Sequence, residues 1–150
     1  MADTWEPLIA GVQVRCSRIL EKDVAPIVRK ILLSHIQKSV YGSYSPVMYP
    51  RRGALSSEGN LMTEVDGDEL FVTSVAPHAP SIFKNTHGGP LSPADSKLLQ
   101  WIEFGCVPNH FNNKTYAWME ARPVIAPAQA EVAGSPAISG AITKGIMREF

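Results

Sequence analysis

The strongest constraint on this chain is an apolar stripe in residues 24–40. Val24, Ile27, Val28, Ile31, Leu32 and Ile36 recur at spacings of three and four. That period places them on one side of a helix, with Lys22, Arg29, Lys30 and Lys38 mainly outside the stripe. Asp23 is suited to cap the start, and Pro26 is tolerated only within a first turn. Gly42 is expected to close the helix. Such a helix must bury its stripe against other elements, so the rest of the sequence must supply a partner layer.

A hairpin is the next element that can be read. Leu61–Val65 and 69–76 read as strands around Asp66-Gly67-Asp68, because Asp-Gly favours the positive backbone angles of tight hairpin turns. Phe71, Thr73 and Val75 share one face, and Leu70, Val72 and Ser74 share the other. With apolar residues on both, the sheet is expected to be covered on both sides, by helices or by a neighbouring subunit.

Toward the C-terminus, Ser92-Pro93-Ala94-Asp95 marks a helix start, carrying Leu98, Leu99 and Ile102 on its apolar side and ending at Gly105. Helical patterning resumes from about Ile125. Gly134-Ser135-Pro136 then supplies a stop, a new cap and a new first position. Ile138, Ile142 and Ile146 recur every fourth residue in the last helix. Gly140 and Gly145 weaken that helix in isolation but permit close approach of another backbone. The fold class expected is α+β: an N-terminal helix and C-terminal helices on a small, mainly antiparallel sheet, all in one domain over 1–150.

Two segments interrupt this plan. Residues 41–59 read as a long extended arm, rich in Tyr, Pro, Gly and Ser, and 77–91 as a second loop. A connection of that length inside a compact domain is usually functional or ordered by something that packs on it. In the first segment Tyr44, Tyr49, Arg51 and Arg52 are residue types that anchor protein interfaces. Stacking on nucleic acid is the other reading of Tyr beside Arg-Arg. The chain's 14 Lys and Arg against 14 Asp and Glu, a net charge of zero, favours the interface, because sequence-independent nucleic-acid affinity comes mainly from an excess of cations.

Reactive chemistry finds little support. His35, His78, His87 and His110 have no metal-ligand spacing, and Cys16 and Cys106 form no paired-ligand motif. Asp66, Asp68 and Glu69 sit at a hairpin tip, where solvent rather than a desolvated pocket surrounds a carboxylate. Neither a nucleophile elbow nor a phosphate loop occurs. The expectation is a non-enzymatic protein without cofactor or metal. The opening Met-Ala-Asp-Thr-Trp-Glu-Pro lacks the basic start and apolar core of a secretory signal, and no stretch is apolar enough for a membrane span. The chain is expected to be made in a cytoplasm.

An ordered set of segments carries a resemblance. It comprises Tyr41, Tyr44, Pro46, Tyr49, Arg51, Arg52 and Gly53; then Leu99-Gln100-Trp101-Ile102-Glu103-Phe104-Gly105; then Pro108-Asn109; then Trp118-Met119-Glu120-Ala121-Arg122-Pro123; then a helix ending in Gly145-Ile146-Met147-Arg148. Spanning about 24–148, the series resembles the tail-completion or neck proteins of long-tailed double-stranded DNA bacteriophages. It departs from them at Cys106, where many carry Thr. The resemblance implies a virion protein that assembles with itself into an oligomeric ring. Its other partners would be neighbouring head–tail connector, tail terminator or tail tube proteins, with no membrane, specific nucleic acid or catalytic residue involved. Tail terminator, or another connector ring, is the alternative within that class. A small phage nucleic-acid-binding or hydrolytic accessory protein is the alternative outside it. Interface residues expected are Tyr44, Tyr49, Arg51, Arg52, Trp101, Glu103, Trp118 and Arg122. The tryptophans would be packed, and Arg122 would bond carbonyls or a carboxylate, Glu103 among the candidates.

Overall fold

In the computed structural model the described residues are 5–43, 53–76, 98–104 and 121–150. They form a helix-rich α+β fold around a two-stranded antiparallel sheet. Helices α1 (Glu6–Ile19) and α2 (Ala25–Ile36) are joined by a π turn, Leu20–Val24, and a second π turn, Gln37–Tyr41, follows α2. Strands β1 (Leu61–Asp66) and β2 (Glu69–Ser74) make the hairpin. Helices α3 (Leu98–Phe104), α4 (Ile125–Gly134) and α5 (Pro136–Glu149) complete the order.

The stripe on α2 forms the centre of the core as its spacing requires. Val24, Ile31, Leu32 and Ile36 are buried, with Ile27 and Val28 packed at the edge. The helix does not begin at Asp23, however. The chain is already helical from Glu6, and the π turn lets it run through Pro26. Proline has no amide to donate and crowds the carbonyl four residues back. Here Ala25 instead bonds the Leu20 carbonyl five residues back, and Pro26 falls in the first turn of α2. Asp23 therefore caps nothing and pairs with the far end of the chain. Its carboxylate takes two hydrogen bonds from the Arg148 guanidinium, at 3.0 and 2.8 Å. That hydrogen bonding holds the Asp23 carboxyl below its ordinary value. Gly42 does close the helix. Its amide donates to the Gln37 carbonyl at 2.8 Å, and a β-carbon there would meet the Lys38 carbonyl oxygen at 2.9 Å.

The hairpin forms where the Asp-Gly signal places it, with Leu61 opposite Ser74 through Asp66 opposite Glu69. Asp66 belongs to the first strand, and the second ends at Ser74, two residues earlier than expected. Its two-residue turn begins at Gly67 with φ of 61°, the positive angle that primed turns need at their first central position. Among the described residues only one face is covered. Leu61 and Ser74 are buried and Leu70 and Val72 pack on the core, whereas Met62, Phe71 and Val75 are exposed. Within the described residues α2 lies over the inner face, because one helical stripe is wide enough for one side of a two-stranded ribbon. The outer face is left for the neighbouring subunit or the other segments that the expectation of two-sided cover allows.

Segment 41–59 also needs correction at both ends. Tyr41 belongs to the second π turn. Residues Ala54–Ser56 and Glu58–Asn60 are 3-10 turns rather than extended chain. Leu55 is buried in the main core, and its turn is held by Asn60 Nδ2 donating to the Ala54 carbonyl at 2.8 Å and Ser56 Oγ to the Gly53 carbonyl at 2.9 Å. Arg29 reaches across to donate to the Glu58 carbonyl at 2.7 Å. Burying one leucine and satisfying these carbonyls fixes the segment locally. The intervening residues 44–52, the loop 77–91 and the expected helix start at Ser92 lie outside the described residues.

At the C-terminus, α4 ends at Gly134 and α5 begins at Pro136, with Ser135 between them in extended geometry. The Ser135 hydroxyl does not cap; its carbonyl accepts the Ser139 amide at 3.2 Å. Ile138 is buried, but Ile142 and Ile146 lie exposed, because the contact side of α5 turns through Gly145 instead.

Candidate functional site

Glu103 is the most constrained polar side chain described. It sits near the end of α3, is buried, and aims its carboxylate at the start of α4. Glu103 Oε2 accepts the Val124 amide at 2.5 Å and the Ile125 amide at 2.7 Å, and Oε1 accepts the Ala126 amide at 3.2 Å. The next residue, Pro127, has no amide, and Ala128 opens the helical ladder by donating to the Val124 carbonyl at 3.2 Å. Every amide that a helix start leaves without a partner is therefore satisfied by one carboxylate. Burial pushes the Glu103 carboxyl up, but the three amides outweigh it and hold it below the ordinary value. With three backbone amides on its two oxygens and its charge stabilised by a helix N-terminus, Glu103 is arranged as a structural anion rather than as an acid poised to move protons.

Arg122 enters the same neighbourhood through its backbone, its amide donating to the Ile102 carbonyl at 2.8 Å. Residues 102–104 and the Arg122-Pro123 segment thus meet, and the Glu103 carboxylate is taken by the amides just after Arg122-Pro123. Trp101 lies within α3, but its side chain is outside the described residues, as are Tyr44, Tyr49, Arg51, Arg52 and Trp118. His35 on α2 pairs with Glu131 on α4, Nε2 to Oε2 at 2.8 Å, while His78, His87 and His110 fall outside. Among the described residues no group of His, Cys, Asp or Glu is placed to hold a metal ion, and no helix is long and apolar enough to cross a membrane.

The remaining feature is apolar surface. At the start of α1, Trp5 (the residue before the helix), Leu8 and Ile9 are 71%, 58% and 54% exposed, and Val12 follows them on the same side. Only at Ile19 does that side become buried, against α5. The antiparallel contact of α1 with α5 is pinned by Arg15 donating to the Glu149 carbonyl at 3.0 Å and lying 5.1 Å from the Phe150 ring centre. A second exposed apolar area is the outer hairpin face with Met62, Phe71 and Val75. A third is the open face of α5, where Ala137, Gly140, Ala141 and Met147 lie beside Thr143 and Lys144. The first of these was readable from the order Trp5, Leu8, Ile9, Val12, Cys16, Ile19, which has helical spacing.

The model of the YomN family matches residues 4–148, nearly the whole chain. No curated protein and no solved structure matches it.

Proposed function

Since the chain belongs to the YomN family, a phage-derived family of the SPbeta type, we propose that it is a structural, non-enzymatic virion protein of the phage neck. In this reading it is a tail-completion or head–tail connector subunit that assembles with itself into a ring and with the adjoining connector, terminator or tail tube proteins. The observation that carries the reading is the apolar surface exposed, among the described residues, on three elements: the outer half of α1, the outer hairpin face and the open face of α5. Soluble monomers rarely leave large apolar side chains clustered in this way, and assembly subunits bury them against neighbours. Glu103 fits a scaffold role as well, since its carboxylate is committed to holding α4 on α3.

The test is made on phage particles. With the gene disrupted, electron micrographs of lysates are expected to contain filled heads and separate tails in place of joined particles. Mass spectrometry of purified wild-type particles is expected to detect the chain in a fixed multiple. Normal particles from the disrupted phage, or a chain absent from purified virions, would overturn the proposal.

A further inference from the structure

Ile19 is buried, yet it lies outside the cluster that forms the main core. Among the described residues α1 contributes nothing to that cluster, and α5 contributes Ile138 alone. Beyond Ile138 the inward side of α5 carries Gly145, which has no side chain, and then Glu149. The second half of α5 therefore buries no large apolar side chain of its own among the described residues. Its apolar contact with α1 is the Ile19 side chain lying over Gly145.

Charge takes the place of apolar area in this contact. Arg148 gives Asp23 two hydrogen bonds, and its Nε donates to Glu149 Oε1 at 3.3 Å. Glu149 Oε2 lies 3.8 Å from Arg18 of α1, and the Glu149 carbonyl accepts from Arg15. Lys22 and Lys144 also stand near Asp23. One carboxylate thus faces three cations and keeps them from repelling one another. Arg18 and Arg148 are both about half exposed, so dissolved ions reach the network.

We propose that α1 and the last turns of α5 form an ionic latch. They part and reclose together while the core of α2, the hairpin and α4 stays folded, and ionic strength sets how often. Local opening of this kind is expected where few apolar contacts hold an element to the rest. The two helices part together because each supports the other. With 14 residues, α1 is close to the length of about 12–15 at which an isolated helix is marginal in water. Apart from α5, the fastening described for α1 is one hydrogen bond, from Ser17 Oγ to the Gly67 carbonyl of the hairpin turn at 2.8 Å. Opening uncovers Ile19 at the end of the exposed Trp5, Leu8, Ile9 and Val12 side, giving the chain a second state with a longer apolar surface. The latch is a property of the single subunit and stands apart from the neck reading.

The experiment is amide hydrogen exchange on the full chain at constant pH. It compares about 0.1 M with about 1 M NaCl, which shortens the screening length from about 10 Å to about 3 Å. The higher salt is expected to lower protection in residues 17–20 and 146–150 alike, while the amides of α2 keep theirs. The expected loss is about two- to fivefold, the range that an exposed ion pair is worth. Asp23→Asn is expected to lower protection in both segments at low salt and to leave little for added salt to remove. Arg148→Gln combined with Asp23→Asn should lower protection by less than the two separate effects together, since both remove the same pair. Unchanged protection in both segments at high salt overturns the latch. So does a response confined to residues 146–150, which would be fraying of one helix end. Amides of α2 that respond in parallel, or that lose protection in a variant, overturn it too, because the core would then depend on the contact. An Asp23→Asn chain that keeps the full salt response removes Asp23 from its centre and overturns the charge argument.

Discussion

Gly145 of α5 lies directly against Ile19 of α1, close enough that a β-carbon on the glycine would stand 2.6 Å from Ile19 Cγ2. No other described glycine in α5 is enclosed, and Gly140, five residues earlier, faces open space. The pair gives a test in which the same substitution has opposite signs.

Gly145→Ala is expected to destabilise the fold by about 1–3 kcal/mol, since overpacking a closed contact outweighs the better helix propensity of alanine. Gly140→Ala is expected to stabilise it by about 0.5–1 kcal/mol through propensity alone. Urea unfolding of the two variants measures both. Equal signs would mean that α1 does not pack on α5 as described.

Glu103→Ala leaves the Val124, Ile125 and Ala126 amides without their acceptor and is expected to cost about 2–3 kcal/mol. Glu103→Gln should cost less, because it retains one carbonyl oxygen. The pH dependence has a definite sign. A carboxyl held below its ordinary 4.5 in the folded chain contributes stability that is fully present above that value and is lost as pH falls through the lower folded value. Wild type is therefore expected to lose stability more steeply than Glu103→Gln on acidification below about pH 4.5, measured by thermal melts across that window.

Leu55→Ala is expected to cost about 2–5 kcal/mol, the range for a buried leucine. An extended arm detached from the domain would make the substitution nearly neutral. Proteolysis adds a second readout, since loss of Leu55 should expose the backbone of the two short turns around it to cleavage.

What the sequence made legible were the elements with strong period or strong punctuation. The α2 stripe, the Asp66–Glu69 turn and the Gly134-Ser135-Pro136 break each combine a local rule with a tertiary partner that agrees with it. The N-terminal helix was missed because its apolar residues are diluted by Gly11, Gln13, Arg15 and Ser17, and because Asp23 and Pro26 together look like a helix start. A π turn cannot be read from composition, yet it is what turns that apparent start into a continuation. The 41–59 segment looked detached because Pro, Gly and Ser dominate it. A single buried leucine and three carbonyl contacts sufficed to fold its described end. The Glu103 cap was half legible. Its segment was singled out, but the acceptor's partners are backbone amides, which no side-chain pattern announces.

The π turn at Leu20–Val24 also sets the rotational phase between α1 and α2. Relative to an unbroken α-helix it inserts one extra residue, which advances everything beyond it by roughly 100°. Ile19 therefore points at Gly145 only because this residue is present. Deleting one position between Leu20 and Val24 would leave every side chain of α1 chemically intact while turning it about its own axis. Ile19 would swing off Gly145, and a different flank of α1 would face outward. Indels in this turn act as a phase dial, so homologues that change its length by one residue must re-pattern the whole first helix to keep the same surface.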